Sequence, residues 1–387
     1  MKKIFALLWI SALCVGLLVY SLCSPTPQPN TAEPVTQPTD SVIDIVDNQP
    51  PQKETQLRIL LPDPSKRDQW EQIAAAFSEK TGIRVVLLDS DRESAPTLFT
   101  VAGTHELAGR TCQDLSGTAA YAQLANMNLA LSVEGKICGL AAEVECFGLI
   151  YNNDLLVAAG YTTGDISDID GFSALVQGLS GQGYTAFSGR GLHDGVALRL
   201  ASLPGNFRTL AQLWLDNAAK DTEGDALSRF MAGETVFYMG STHEYAAITD
   251  GGVGNLGILP IYLDDRQPQT QSLCVTAKSY WCISSEDPAE VAAATAFLDY
   301  LVMADDSGAV PVDLLEILAP YRQATYHGNP LEAVFRQDLI AGKSYLVCSV
   351  TEQVPAGFVD ALTVFTQDPT EENWSKVEMT LGKKGGA

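Results

Sequence analysis

The sequence predicts an α/β protein of more than one domain, on three observations. The chain has 387 residues, too many for one hydrophobic core of ordinary size. The stretch Leu57 to Leu88 reads as strand, helix and strand, the order that makes a parallel βαβ unit. A third stretch, Val144 to Tyr151, is first alternating and then continuously apolar, as a buried strand is, yet it carries the carboxylate of Glu145. An unpaired charge there is costly, so Glu145 is expected to have a partner.

In chain order, Lys2 and Lys3 precede an almost wholly apolar run from Ile4 to Cys23. That is a targeting segment, longer than the usual signal core of about 7–15 residues and near the roughly 20 that span a bilayer. The lysines favour a cytoplasmic start with the body exported. Cys23 is the lipidation candidate, although Leu22 stands where a small residue is expected. Lipid anchoring, an uncleaved anchor and plain secretion all export the body. Ser24 to Gln56 holds seven prolines and no glycine, a composition that stays extended and does not bury a core.

The body starts with a strand at Leu57–Leu61. A helix follows over Asp63–Thr81, with Trp70, Ile73 and Phe77 on one face and Gly82 as its stop, then a strand at Ile83–Leu88. Further strands are expected at Tyr184–Ser188 and Glu234–Met239, and helices from Phe172, over Ala226–Ala232 and over Asp287–Ala304. Ser272–Ser284 reads as strand, turn, strand, which makes Cys274 and Cys282 cross-strand neighbours and a disulfide candidate. Cys138 and Cys146 are a weaker pair.

Composition removes several functions. A net charge of −23 argues against a nucleic-acid partner. His105, His193, His243 and His327 fall at unrelated spacings, so no zinc signature appears and no metal or other cofactor is expected. The Gly189-Arg190-Gly191 loop lacks the Gly-Lys ending of a phosphate cradle. With no Gly-x-Ser-x-Gly elbow and no Cys-His-Asn arrangement, no catalytic residue stands out. A glycoside hydrolase would need paired carboxylates, and no spacing singles out a pair.

The segment Val144-Glu145-Cys146-Phe147-Gly148-Leu149-Ile150-Tyr151-Asn152-Asn153-Asp154 resembles the first interlobe crossover of extracellular solute-binding proteins of bacterial ABC importers. The group it resembles is the carbohydrate-binding one that includes maltose-binding protein, whose pattern is Val-Glu-x-x-x-Leu-Ile-Tyr-Asn-Lys-Asp. Here Asn153 replaces the Lys. Phe77–Val85, Gly135–Leu140, Asn255–Pro260, Ser272–Ser284 and Asn373–Val377 resemble further family segments in the family's order.

The resemblance implies a type II periplasmic-binding-protein-like fold, two α/β lobes joined by crossover strands around a ligand cleft. Residues 57–147 with 282–325 form the first lobe and 148–281 with 326–387 the second. It implies capture of a small solute, a sugar or small oligosaccharide first, and its delivery to ABC permease subunits by a monomer. A polyamine, another cation or a peptide is the alternative ligand, and a sensor or adhesion lipoprotein without transport is a further one. The implied ligand contacts are Glu145 on the crossover, Thr242 and His243 where the family has a stacking Trp, Trp281 at the return crossover, and the loop Thr104-His105-Glu106. The missing Trp favours a small or polar ligand over a long oligosaccharide.

Overall fold

The computed structural model describes residues 55–382, apart from 93, 165, 189–193, 219–225, 267–270, 326–327, 341–345 and 349–352. The targeting segment with Cys23, nearly all of the linker, the Gly189–Gly191 loop, His193 and His327 lie outside the described residues. Residues 53–387 form one contact unit.

Strand β1 (Gln56–Leu60) pairs in parallel with β2 (Arg84–Leu88), as the strand–helix–strand pattern predicts. The helix between them, Arg67–Thr81, is preceded by a turn in which Asp63 accepts the Ser65 N–H, and it stops at Gly82, whose φ of 73° suits glycine. Its inward face is Trp70, Ile73, Ala74 and Phe77. β3 (Leu98–Val101) lies on the other side of β1. β4 (Ala130–Val133) then turns back into β5 (Lys136–Asn152), a strand of 17 residues. At about 3.3 Å per residue such a strand is about 55 Å long, enough to run through two cores.

β5 changes neighbours along its length. β6 (Phe237–Ser241) and β7 (Leu256–Leu259) flank its C-terminal end, and β8 (Cys274–Ile283) runs antiparallel beside its middle. β9 (Leu346–Val347) is parallel to the start of β8. The order along the first part of the sheet is β2-β1-β3-β8-β5-β4. Gly148 is required where β5 meets β7, because a Cβ there would lie 2.5 Å from the Leu259 carbonyl oxygen.

Two large apolar clusters sit at the two ends of this frame. One joins Trp70, Phe77, Trp281, Phe297, Leu301 and Tyr321, the other Phe172, Phe187, Trp214, Phe237, Tyr262 and Trp374. Burying one such ring stabilises by about 2–3 kcal/mol, so each lobe has its own core. Together with the crossing strands β5 and β8, this is the two-lobed α/β fold that the resemblance implied.

The structure corrects three local readings. Residues 274–283 are one continuous strand. Cys274 and Cys282 therefore lie at its two ends, eight positions or about 26 Å apart, and no disulfide joins them; both are thiols. Cys138 and Cys146 are likewise eight positions apart on β5. Tyr184–Ser188 forms no regular strand: Phe187 makes isolated bridges to Ala218 and Phe237, and the Thr185 and Ala186 carbonyls accept the Val236 and Phe237 N–H groups. Helices at Arg208–Asn217, Pro330–Ile340, Phe358–Gln367 and Glu371–Thr380 are among the others. Among the described residues no helix is long and apolar enough to cross a membrane.

Candidate functional site

The site begins with an irregularity in the crossover. Ala141 is opposite Tyr280, Glu143 opposite Ser279 and Val144 opposite Ala277, so Ala142 on β5 and Lys278 on β8 are extra residues. Such bulges re-aim side chains beside functional sites. Here Ala142, Glu143, Lys278, Ser279 and Trp281 all line a cleft of about 630 Å³. The first lobe adds Asp63, Lys66 and Trp70. The opposite wall holds His243, Tyr245, Asn329 and Glu332.

Four of the charged or titratable groups in this cleft, Glu143, Lys278, His243 and Glu332, lie in ion-pair contacts. Lys278 Nζ lies 3.0 Å from Glu143 Oε1. His243 lies between two carboxylates, with Nε2 3.7 Å from Glu143 Oε1 and Nδ1 3.6 Å from Glu332 Oε1. Lys66 Nζ donates to the Leu315 carbonyl. These pairs bring together β5, β8, the turn after β6 and the helix Pro330–Ile340.

Local sequence sets the last two. Asn329 caps that helix by accepting the Leu331 and Glu332 N–H groups, and the Glu332 carboxylate accepts the Asn329 N–H in return. This reciprocal box fits Asn-Pro-Leu-Glu, with proline at the first helical position. Asn329 Nδ2 also donates to the Thr242 carbonyl at 2.9 Å. Ser241 and Glu244 form a second box around the turn that carries His243.

Glu332 is 5% exposed. Burial pushes its carboxyl above the ordinary value, with Asn329 and His243 opposing. A raised folded-state pKa means that the native protein holds this proton more tightly than the unfolded chain does. The stabilisation from the protonated form is therefore complete below about 4.5 and is lost as pH rises through the folded-state value. Glu332→Gln should flatten the fall in stability above pH 4.5, measured by urea unfolding at stepped pH. An unchanged slope would show that Glu332 does not cause it.

The candidate residues from the sequence divide. His243 and Trp281 line the cleft. Trp281 is also buried, its ring 5.6 Å from that of Trp70. Thr242 is buried beneath His243 and holds Asn329 through its carbonyl. Glu145 has the expected partner. Its Oε2 accepts a hydrogen bond of 2.8 Å from Ser241 Oγ, so it braces the turn that carries His243 and does not line the cleft. Thr104, His105 and Glu106 form an exposed turn outside the cleft lining, with the Glu106 carboxylate accepting the Ala102 N–H. Sequence reasoning did not single out Glu143, Lys278, Asn329 or Glu332. Their signal is the bulge and the two capping boxes, and only Asn329-x-x-Glu332 is visible as a spacing. Among the described residues no group of His, Cys, Asp and Glu is arranged to hold a metal ion.

A comparison with curated protein sequences finds no match. Among solved structures, apo RafE from Streptococcus pneumoniae superposes with a TM-score of 0.63 at 14% identity, covering 86% of this chain and 98% of that one. The solute receptor AcbH, described as preferring β-D-galactopyranose, gives 0.61 at 11% identity, with coverage of 85% and 96%. The cyclic α-maltosyl-1,6-maltose binding protein from Arthrobacter globiformis gives 0.59 at 14%, with coverage of 86% and 95%. Identities this low establish the fold alone. The family model described as "Bacterial extracellular solute-binding protein" matches residues 52–308, and over that span the chain belongs to the bacterial extracellular solute-binding protein family.

Proposed function

We propose that this protein captures a sugar or short oligosaccharide in the cleft and delivers it to an ABC permease. The observation that carries the reading is the make-up of the cleft, in which Trp70, Trp281 and Tyr245 stand beside Asp63, Lys66, Glu143, Lys278, His243, Asn329 and Glu332. A sugar offers C–H faces to rings and hydroxyls that both donate and accept. The paired charges suit a neutral ligand. A polyamine would meet the carboxylates of Asp63, Glu143, Glu316 and Glu332 together with two lysines, and the lysines weigh against it. Raffinose and galactose are said of the comparison structures, and they set the first sugars to test. No covalent chemistry is part of the proposal.

The rest of the functional reading follows the same line. The two core clusters support lobe limits near 57–147 with 282–325 and 148–281 with 326–387, except that Phe147 packs in the second core and Trp281 in the first. Ligand bound to both walls would favour a closed form. The exported body would work as a monomer at the outer face of the membrane, held there by its N-terminal segment or by a lipid on Cys23.

Titration calorimetry against raffinose, galactose, maltodextrins and spermidine tests this. At least one sugar should bind saturably, with compaction by small-angle scattering, and spermidine should not. Glu143→Ala should weaken that sugar about 10–100-fold, the range expected when a hydrogen bond to a charged group is lost, with little change in Tm. Binding of spermidine and of no sugar would replace the reading with a cation receptor.

A further inference from the structure

We infer that the exported protein carries a disulfide between Cys274 and Cys348, tying the segment that returns from the cleft helix to the crossover strand β8. Three placements carry this. β9 runs parallel to β8 with Leu346 beside Cys274 and Val347 beside Val275, and the Cys348 N–H donates to the Val275 carbonyl at 2.8 Å. Adjacent strand residues alternate faces, and Cys274 and Cys348 both enter the second-lobe core, while Val275 and Val347 pack on the other face. Both side chains are buried in that core, and the Cys348 thiol is near enough to Cys274 to add to the effect of burial in raising its pKa.

The same geometry selects against the other nearby cysteine. Cys146 is opposite Val275 on β5 and packs with it on the far face of the sheet. Cys282 is at the other end of β8. Leu346 is directly opposite Cys274, so Cys348 is the diagonal neighbour on the same face, which a disulfide would join with a small shift of β9. A thiol pair of this kind in an intracellular protein stays reduced, but an extracytoplasmic one meets disulfide-forming conditions. The inference rests on the export implied by family membership and is independent of the ligand.

Formation is thiol–disulfide exchange with an external disulfide. One cysteine thiolate attacks the oxidant, a mixed disulfide forms, and the second thiolate displaces the reduced half. Each cysteine gives up one proton and one electron, and the oxidant disulfide leaves as two thiols. The bond would close a loop that contains Asn329, Glu332 and the whole helix Pro330–Ile340, so it would restrain the segment that carries the second wall of the cleft.

The test refolds the full chain from its reduced, unfolded form in a mixture of reduced and oxidised glutathione. The product is then denatured without reductant, alkylated, digested and read by mass spectrometry. The expected result is one linked Cys274–Cys348 peptide, with neither residue alkylated. In Cys348→Ser, Cys274 should become fully alkylated. Alkyl groups on both cysteines of the unmutated chain, or Cys274 linked to any other cysteine, overturns the inference.

Discussion

Trp281→Ala should lower the free energy of unfolding by about 4 kcal/mol, within the range seen when a buried Trp or Phe is cut to Ala. The residue is 1% exposed, and its ring meets Trp70 edge-on, while Trp70 stacks with Phe297 at 6.4 Å between centroids. Neighbours on β3 and β5, Thr100 and Leu140, sit opposite it across the sheet. None of these is free to fill the space, so a cavity would remain beneath the cleft. The same ring forms part of the cleft lining, so sugar binding should fall as well. Trp281→Phe keeps most of the packing and removes the indole N–H, which has no hydrogen-bond partner among the described residues. It should keep most of the stability, and a loss of sugar affinity in this variant would trace to the smaller ring, since the N–H is buried away from the cleft surface. Urea unfolding of both variants separates the two roles; a loss below about 1 kcal/mol in Trp281→Ala would refute the core role.

The way Trp281 serves both core and cleft illustrates what the sequence could reveal. Period and punctuation were enough for the βαβ start, since Trp70, Ile73 and Phe77 repeat at helical spacing and Gly82 ends the run. The apolar strand with a carboxylate was also legible, and Glu145 has the partner its burial demands. What failed was anything set by strand neighbours. Alternation along residues 274–283 is the same for one strand as for two, so a turn was read where none exists, and a disulfide was drawn across it. Glu143 and Glu145 are two positions apart on β5 and share a face, so alternation does not separate them, and nothing in the sequence marks Glu143, beside the slip between Ala141 and Val144, as a residue of the cleft lining. The cleft wall at Asn329 and Glu332 stands far from the crossover in sequence, and loop closure brings it back without any local pattern to announce it.

That wall depends on Arg336, and Arg336→Ala should cost about 3–5 kcal/mol. Its side chain is 1% exposed, one turn after Glu332 on the same helix. Its Nη2 donates to the carbonyls of Tyr321 and Ala324, so it satisfies two buried acceptors in the chain that leads to Asn329. Alanine would leave the Ala324 carbonyl unpaired, at about 1–3 kcal/mol in an apolar setting, while the Tyr321 carbonyl keeps the Ala324 N–H, and it would open a cavity of most of a long side chain. Arg336→Met sorts these terms. Methionine fills much of the volume and loses the same donor, but it also removes a guanidinium whose burial lowers its pKa, a sign that the charge itself is costly there. Replacement of a buried charge by an apolar side chain of similar size is often close to neutral, so Arg336→Met should fall within about 1–2 kcal/mol of the unmutated protein. Chemical denaturation of the two variants gives the comparison. Equal losses would place the whole cost in the lost guanidinium donor, whereas a small loss in Arg336→Ala would mean that the return segment holds its position without Arg336, and the cleft wall with it.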